Sequence, residues 1–319
     1  MDKMKIFAGS ASARLAEDIC EYLGISLGRA SIGRFPDTEI SIKLLDDVRG
    51  SDIFIVQSTC PPVNENLMEL LILIDCVRRA SASRVNAVIP YYGYARQDRK
   101  AEGRVPITAK LVANMIVAAG ADRVLTIDLH SSQIQGFFDI PLDHLYAVPV
   151  MGRYYSQMDI KNLVVVCSDV GGLKMANAYA KMLKADFAVV EKIRVDPRTT
   201  VAGDVIGNVK NKNVLIIDDM ITTGGSVAEA CKALKDRGAL DIYVGATHAV
   251  FCDGIVERLS PAPIKEIAVT DTIPLSDTGR RLGVRVLSVA RLLGETMRRI
   301  HFNESVSSLF DSGSEAMLF

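Results

Sequence analysis

The stretch VLIIDDMITTGGS, residues 214–226, combines residue types that can grip a phosphorylated sugar. Its apolar start, residues 214–217, reads as a buried strand. Two adjacent carboxylates follow, Asp218 and Asp219, and then the small residues Thr222, Thr223, Gly224, Gly225 and Ser226. The spacing over residues 228–238 predicts a helix next. Glycines let backbone N–H groups come close to a phosphate, and the positive end of a helix adds attraction. Paired Asp side chains at a strand end can accept hydrogen bonds from sugar hydroxyls. Phosphate on one side and a diol on the other describe a ribose phosphate. The chain contains neither GxxxxGKS/T nor GxGxxG, so no Walker loop or dinucleotide fingerprint accounts for this composition. A solvated turn between strand and helix is the bland alternative, and the combined pattern is too specific for it.

Four further constellations carry chemistry. In RFPDTEISIK, residues 34–43, Asp37 and Glu39 stand beside Phe35 at a loop-to-strand junction. Carboxylates at i and i+2 share one strand face, and the aromatic ring could stack on a base. A surface strand carrying two acids is the commoner explanation of such a string. YYGYARQDRK, residues 91–100, clusters Arg96, Arg99 and Lys100 with Gln97 and Asp98. Guanidinium groups present paired donors to phosphate oxygens, and ligands of α/β folds gather at the carboxyl ends of strands. A solvated basic loop is the alternative here. VLTIDLHSSQ ends a strand in Asp128 and His130, and VVVCSDVGG ends another in Asp169. An imidazole and a carboxylate at strand ends could hold a divalent ion near a nucleotide, or be structural. Lys192 and Arg194 open a charged segment, residues 189–209, which reads as a strand running into a long loop of the kind used as a lid, or as a surface hairpin.

The elements that must position these groups alternate between strand-like and helix-like patterns along 319 residues. That alternation predicts α/β architecture with mostly parallel sheets, and the length predicts two domains. Hydrophobic residues are 49% and charged residues 24% of the chain, and the net charge is −1. This composition gives no electrostatic case for a nucleic-acid or membrane partner. No apolar stretch is long enough to span a bilayer and none resembles a targeting segment, so a cytoplasmic protein is expected. The six cysteines, with no CxxC, read as reduced core thiols. Two stretches share one plan of strand, loop, helix, strand: IFIVQS to RVNAVIPYY, and VLIIDD to DIYVGATHAVF. This suggests two similar domains in tandem, 1–148 and 149–302, followed by a tail at 303–319. The first loop, with Pro61, Pro62 and Asn64, lacks TTGG, so only the second copy keeps the sugar-phosphate composition.

Taken together, FPDTE, YARQDRK, DLHSSQIQGFF, SDVGG, EK-x-R and DDMITTGGS resemble, in their order and spacing, the class I ribose-phosphate pyrophosphokinase family, of the type I phosphoribosyltransferase fold. The resemblance runs from about residue 6 to residue 310. It implies transfer of the pyrophosphoryl group of ATP to the anomeric hydroxyl of ribose 5-phosphate, with Mg²⁺, by a homohexamer. Carried over by position, Phe35, Asp37, Glu39, Arg96, Gln97, Asp98 and Arg99 would bind ATP. His130 and Asp169 would meet the metal. Lys192 would be catalytic with Arg194 as its partner, and Arg194, Asp218, Asp219 and residues 222–226 would hold ribose 5-phosphate. The chain departs from the family pattern at Ile193, Met175, Val105 and Asp271. A phosphoribosyltransferase that consumes phosphoribosyl pyrophosphate and an inactive regulatory paralogue that binds nucleotides are the alternatives.

Overall fold

The structure is a computed structural model that describes residues 3–168, 170–194 and 200–310, with backbone alone at 170, 191–194, 200–203 and 310. Contacts gather into two compact units. The first runs to Tyr146 and takes in Thr272–Pro274 and the chain from Ser288; the second holds Ala147–Asp271 and Leu275–Leu287.

The first unit begins with β1 (Met4–Ala8), α1 (Ala13–Leu23) and the strands β2 (Ala30–Arg34) and β3 (Ile40–Leu44). It continues through β4 (Asp52–Val56), α2 (Val63–Arg79), β5 (Arg84–Ile89), α3 (Thr108–Ala119), β6 (Arg123–Ile127) and β7 (Leu142–Leu145). One sheet has the order β1-β4-β5-β6-β7, every neighbouring pair parallel, and β2 and β3 form a separate antiparallel hairpin. DIFIV is buried along its whole length. That is why it reads as an unbroken apolar run: a parallel sheet is covered on both faces. Its core joins Ile53, Ile55, Val85 and Ala87 to Leu70, Leu73 and Ile74 of α2 and Ile116 of α3. No helix among the described residues is long and apolar enough to cross a membrane, and all six cysteines are free.

The second unit contains α4 (Val148–Gln157), β8 (Leu163–Cys167), α5 (Leu173–Leu183), β9 (Asp186–Arg194), β10 (Thr200–Ile206), β11 (Asn213–Ile221) and α6 (Gly225–Asp236). After these come β12 (Ile242–Ala249), α7 (Ile255–Leu259), β13 (Glu266–Thr270), α8 (Asp277–Arg281) and β14 (Arg285–Leu287). Its sheet order is β10-β9-β8-β11-β12-β13-β14, parallel throughout except between β10 and β9. The five strands β8-β11-β12-β13-β14 repeat the order of the first sheet, and each unit inserts a hairpin after the helix that follows the first of these strands: β2–β3 between α1 and β4, and β9–β10 between α5 and β11.

The segment read as a strand running into a long loop is the hairpin β9–β10, whose pairing shifts between Ala202 and Val205. Val205 and Val209 are buried, which draws the second arm onto the core. The last helix, α9 (Ala290–Phe302), clusters with the first unit rather than with the half that precedes it in sequence. It packs on α1, where the Tyr22 hydroxyl donates to Glu295 at 3.4 Å and Arg291 lies 5.7 Å from the Tyr22 ring centre.

Candidate functional site

β11 is an inner strand, hydrogen-bonded to β8 on one side and β12 on the other. Residues 214–217 are buried, Asp218 and Asp219 are half-buried, and the strand runs on through Met220 and Ile221. The carboxylates therefore lie within the strand, two residues before its end. Asp218 is held on two sides: the Ser168 hydroxyl donates to its Oδ2 at 2.6 Å, and the Asp219 N–H donates to its Oδ1 at 2.9 Å. Asp219 Oδ1 in turn accepts the Met220 N–H at 2.9 Å. Ser168 is 2% exposed at the end of β8, so its hydroxyl is a fixed donor.

The turn from β11 to the next helix is only Thr222, Thr223 and Gly224, and α6 begins at Gly225, three residues earlier than the sequence pattern suggests. Gly224 has φ +76°, and a Cβ there would stand 2.9 Å from Leu259, so both its backbone and its surroundings demand glycine. At Gly225 the nearest atom to an added Cβ is Thr223 Oγ1 at 3.9 Å, which leaves the approach to the helix end open. Among the described residues no side chain caps α6. Its first N–H groups, which have no partners inside the helix, are left for a ligand. Arg258 donates to the Thr223 carbonyl at 2.9 Å and pins the turn from the far side. Neither Ser168 nor Arg258 was singled out by the sequence; SDVGG signalled the first by position, and nothing local signals the second.

Asp169 lies outside the described residues. Lys192 and Arg194 fall at the end of β9, opposite Ala202 and Thr200, with their side chains outside what the structure describes. Both belong to the same unit as the β11–α6 turn.

The remaining expected residues belong to the first unit. Asp37 and Glu39 stand at a loop-to-strand junction as expected, in the turn of the β2–β3 hairpin just before β3, and so do not share a strand face. Phe35 N–H donates to Glu39 O at 2.9 Å, and Asp37 Oδ1 folds back to accept the Glu39 N–H at 3.2 Å. This is the local hydrogen bonding that makes Asp a turn former. Phe35 is 53% exposed at the tip. Arg34 donates to Thr38 O at 3.1 Å and pairs with Glu65 on α2, which ties the tip down. Arg96, Gln97 and Arg99 are exposed on the loop after β5, with Asp98 half-buried between them. Gln97 accepts from the Thr108 hydroxyl and, through its carbonyl, from Ala109 N–H at 3.2 Å, so the start of α3 fixes it. Below this loop burial pushes the Tyr92 hydroxyl up, and it donates to Ala109 O at 2.9 Å.

After β6, Asp128 is 2% exposed with φ +38°, and its N–H donates to Leu145 O at 2.9 Å. Leu129 N–H donates to His144 Nε2 at 2.9 Å. His130 is exposed on this ledge. Burial, and then the Asp128 charge, raise the Tyr146 hydroxyl. Among the described residues no three His, Cys, Asp or Glu side chains gather to cage a metal. The exposed His130 imidazole offers one donor to a divalent ion that arrives carrying phosphate and water oxygens of its own.

The description "N-terminal domain of ribose phosphate pyrophosphokinase" matches residues 4–120, and "phosphoribosyl synthetase-associated domain" matches residues 191–311. A ribose-phosphate pyrophosphokinase of Rhodopirellula baltica is 51% identical over 315 residues, spanning 97% of this chain and 99% of the relative. One of Nitrosomonas europaea is 49% identical over 311 residues, spanning 97% and 98%. The crystal structure of phosphoribosylpyrophosphate synthetase from Mycobacterium smegmatis superposes with a TM-score of 0.87 at 39% identity, over 94% of this chain and 99% of that one.

Proposed function

The chain belongs to the ribose-phosphate pyrophosphokinase family, and from that premise we infer how it transfers the pyrophosphoryl group of ATP to O1 of ribose 5-phosphate, giving phosphoribosyl pyrophosphate and AMP. The observation that carries the residue assignment is the β11–α6 turn. A carboxylate locked by Ser168 stands next to an uncapped helix end with open space at Gly225.

The 5-phosphate takes the backbone N–H groups of Thr222, Thr223, Gly224, Gly225 and Ser226, and Asp218 and Asp219 accept from the ribose hydroxyls. ATP is held by Arg96, Gln97, Asp98 and Arg99, by Asp37 and Glu39, and by Phe35 stacked on adenine. Transfer forms the O1–Pβ bond and breaks the Pβ–O bond to the α-phosphate, so AMP leaves and the O1 proton is released. Such chemistry needs alignment and charge neutralisation more than covalent help. Lys192 and Arg194 neutralise charge on the transferring phosphates, and Arg194 also reaches ribose 5-phosphate. His130 and Asp169 are the residues that would hold a divalent ion, Mg²⁺ in this reading, whose positive charge offsets that of the phosphates. Assembly as a homo-oligomer, a hexamer by resemblance, and a cytoplasmic location complete the proposal.

³¹P NMR of the protein with ATP, Mg²⁺ and ribose 5-phosphate tests it: phosphoribosyl pyrophosphate and AMP should appear in equal amounts. Lys192→Ala should lower kcat by about 10²–10³-fold, the usual loss on removing one charge-stabilising donor, with substrate binding little changed. A variant with near-normal turnover would remove Lys192 from its role.

A further inference from the structure

We propose that Arg258 is a positioning residue for ribose 5-phosphate: by holding the Thr223 carbonyl it aims the Gly224 N–H at the 5-phosphate. This rests on the assignment of residues 222–226 to that ligand.

Every carbonyl from Ile221 to Gly224 has a donor. Ile221 O accepts the Phe251 N–H at 3.1 Å, and Thr222 O accepts the Cys252 N–H at 2.9 Å. Thr223 O accepts from Arg258 Nη1 at 2.9 Å, and Gly224 O accepts the Ala228 N–H at 2.9 Å as α6 begins. The first three donors come from residues 251–258, so the loop after β12 and the short helix α7 back the turn. Ile255 and Leu259 of α7 complete this backing, 3.0 Å and 2.9 Å from where a Cβ on Gly224 would stand. Of the four carbonyls only that of Thr223 depends on a side chain. Backbone donors come with the fold, whereas this one is lost by a single substitution.

The peptide bonds of the turn are trans. In a planar trans peptide the C=O and N–H point in opposite directions. A Thr222 carbonyl turned toward Cys252 therefore aims the Thr223 N–H away from the loop after β12. A Thr223 carbonyl turned toward Arg258 aims the Gly224 N–H away from α7. Among the described residues neither N–H has a partner in the protein. They extend the set of N–H groups left unpaired at the start of α6, and successive amides of this kind suit an anion. Without Arg258 the Thr223–Gly224 peptide is free to rotate and present its carbonyl to the phosphate. Glycine at 224 makes that rotation easy, since it takes φ of either sign. Among the described residues no carboxylate pairs with Arg258, so its charge also favours an anion at the turn. The side chain is exposed and salt screens that part, so alignment carries most of the effect.

Equilibrium dialysis of labelled ribose 5-phosphate without ATP, beside steady-state kinetics with each substrate varied, tests the role. Arg258→Ala should weaken ribose 5-phosphate about 2- to 10-fold in both Kd and KM, the worth of one hydrogen bond. Its KM for ATP and its Tm should stay near those of the wild type. Arg258→Met, which keeps the stem and drops the donor, should match the alanine variant and replaces it if that variant does not fold. Arg258→Lys should recover most of the affinity, because one guanidinium N–H meets the carbonyl and an ammonium can supply it. Wild-type affinity in the alanine or methionine variant overturns the proposal. So does an equal rise in both KM values with a lower Tm, or a lysine variant no better than the methionine one. Gly225→Asp checks the site itself: undiminished binding there would move ribose 5-phosphate away from residues 222–226 and sink that assignment, whereas binding lost in Gly225→Asp and unchanged in Arg258→Ala sinks the role of Arg258 alone.

Discussion

At the scale of single residues, the ribose end of the site depends on how rigidly a carboxylate is held. Asp218 receives a buried hydroxyl and a backbone N–H before any ligand arrives, so its rotamer is set in advance. Binding then avoids the cost of ordering it. Hydrogen bonds to charged groups are worth roughly 1.5–3 kcal/mol, or about 10- to 150-fold in affinity. Asp218→Ala should raise the KM for ribose 5-phosphate within that range and leave the KM for ATP near normal. Ser168→Ala should raise the same KM by a smaller factor, because it loosens the carboxylate without removing it, and Ser168→Thr should restore it. Steady-state kinetics with each substrate varied separately reads both results. An equal rise in both KM values would show a general loss of structure instead.

At the scale of elements, the turn between β11 and α6 contains two adjacent glycines with different duties. Gly224 is in the left-handed region at φ +76° and has Leu259 2.9 Å from its missing Cβ, while Gly225 has nothing closer than 3.9 Å among the described residues. Gly224→Ala should therefore destabilise the fold by about 1–3 kcal/mol, seen as a Tm several degrees lower. Gly225→Ala should melt like the wild type and yet bind ribose 5-phosphate more weakly, because its methyl group enters the space a phosphate would use. Calorimetry of both variants separates the two duties. The apolar run of β11, the Asp pair and the small-residue turn were legible in the sequence because each rests on local pattern. That the strand runs on to Ile221 was not, since its last pairs, Met220 with His248 and Ile221 with Ala249, come from a strand some thirty residues away in sequence. The shared strand face expected of Asp37 and Glu39 failed for the opposite reason: i, i+2 spacing suits a strand, but one short backbone bond from Phe35 to Glu39 closes a turn around them. Arg258 gave no signal at all, because its meeting with Thr223 depends on α7 being brought beside the turn.

At the scale of the molecule, the first unit is not one continuous stretch of chain. It is completed by α9, and the attachment has an electrostatic core that sequence spacing could not reveal. Asp52, at the start of β4, accepts Arg84 Nε at 2.8 Å, Asn86 Nδ2 at 2.8 Å and a second bond from Arg84, and lies 2.8 Å from His301 Nδ1 on α9. Arg84 also donates to the Ile300 carbonyl at 3.1 Å. Burial pushes the Asp52 carboxyl up, but the hydrogen bonds from Arg84, His301 and Asn86 outweigh it and leave the group below its ordinary value. A carboxyl with a depressed folded-state pKa adds stability that is fully present above its unfolded value, near 3.9. That stability is lost as the pH falls through the lower folded value. Glu295 on α9 is depressed in the same direction, first by Arg298. The folded protein should thus weaken from about pH 4 downward. Asp52→Asn should lower stability at neutral pH by about 2 kcal/mol, less than for a fully buried pair because Arg84 is partly exposed. It should also flatten the acid limb of the stability curve, leaving the part due to Glu295. Urea melts at a series of pH values from 2 to 8 measure both effects. An acid limb identical to that of the wild type, only shifted downward, would mean that Asp52 holds α9 by shape and not by its charge.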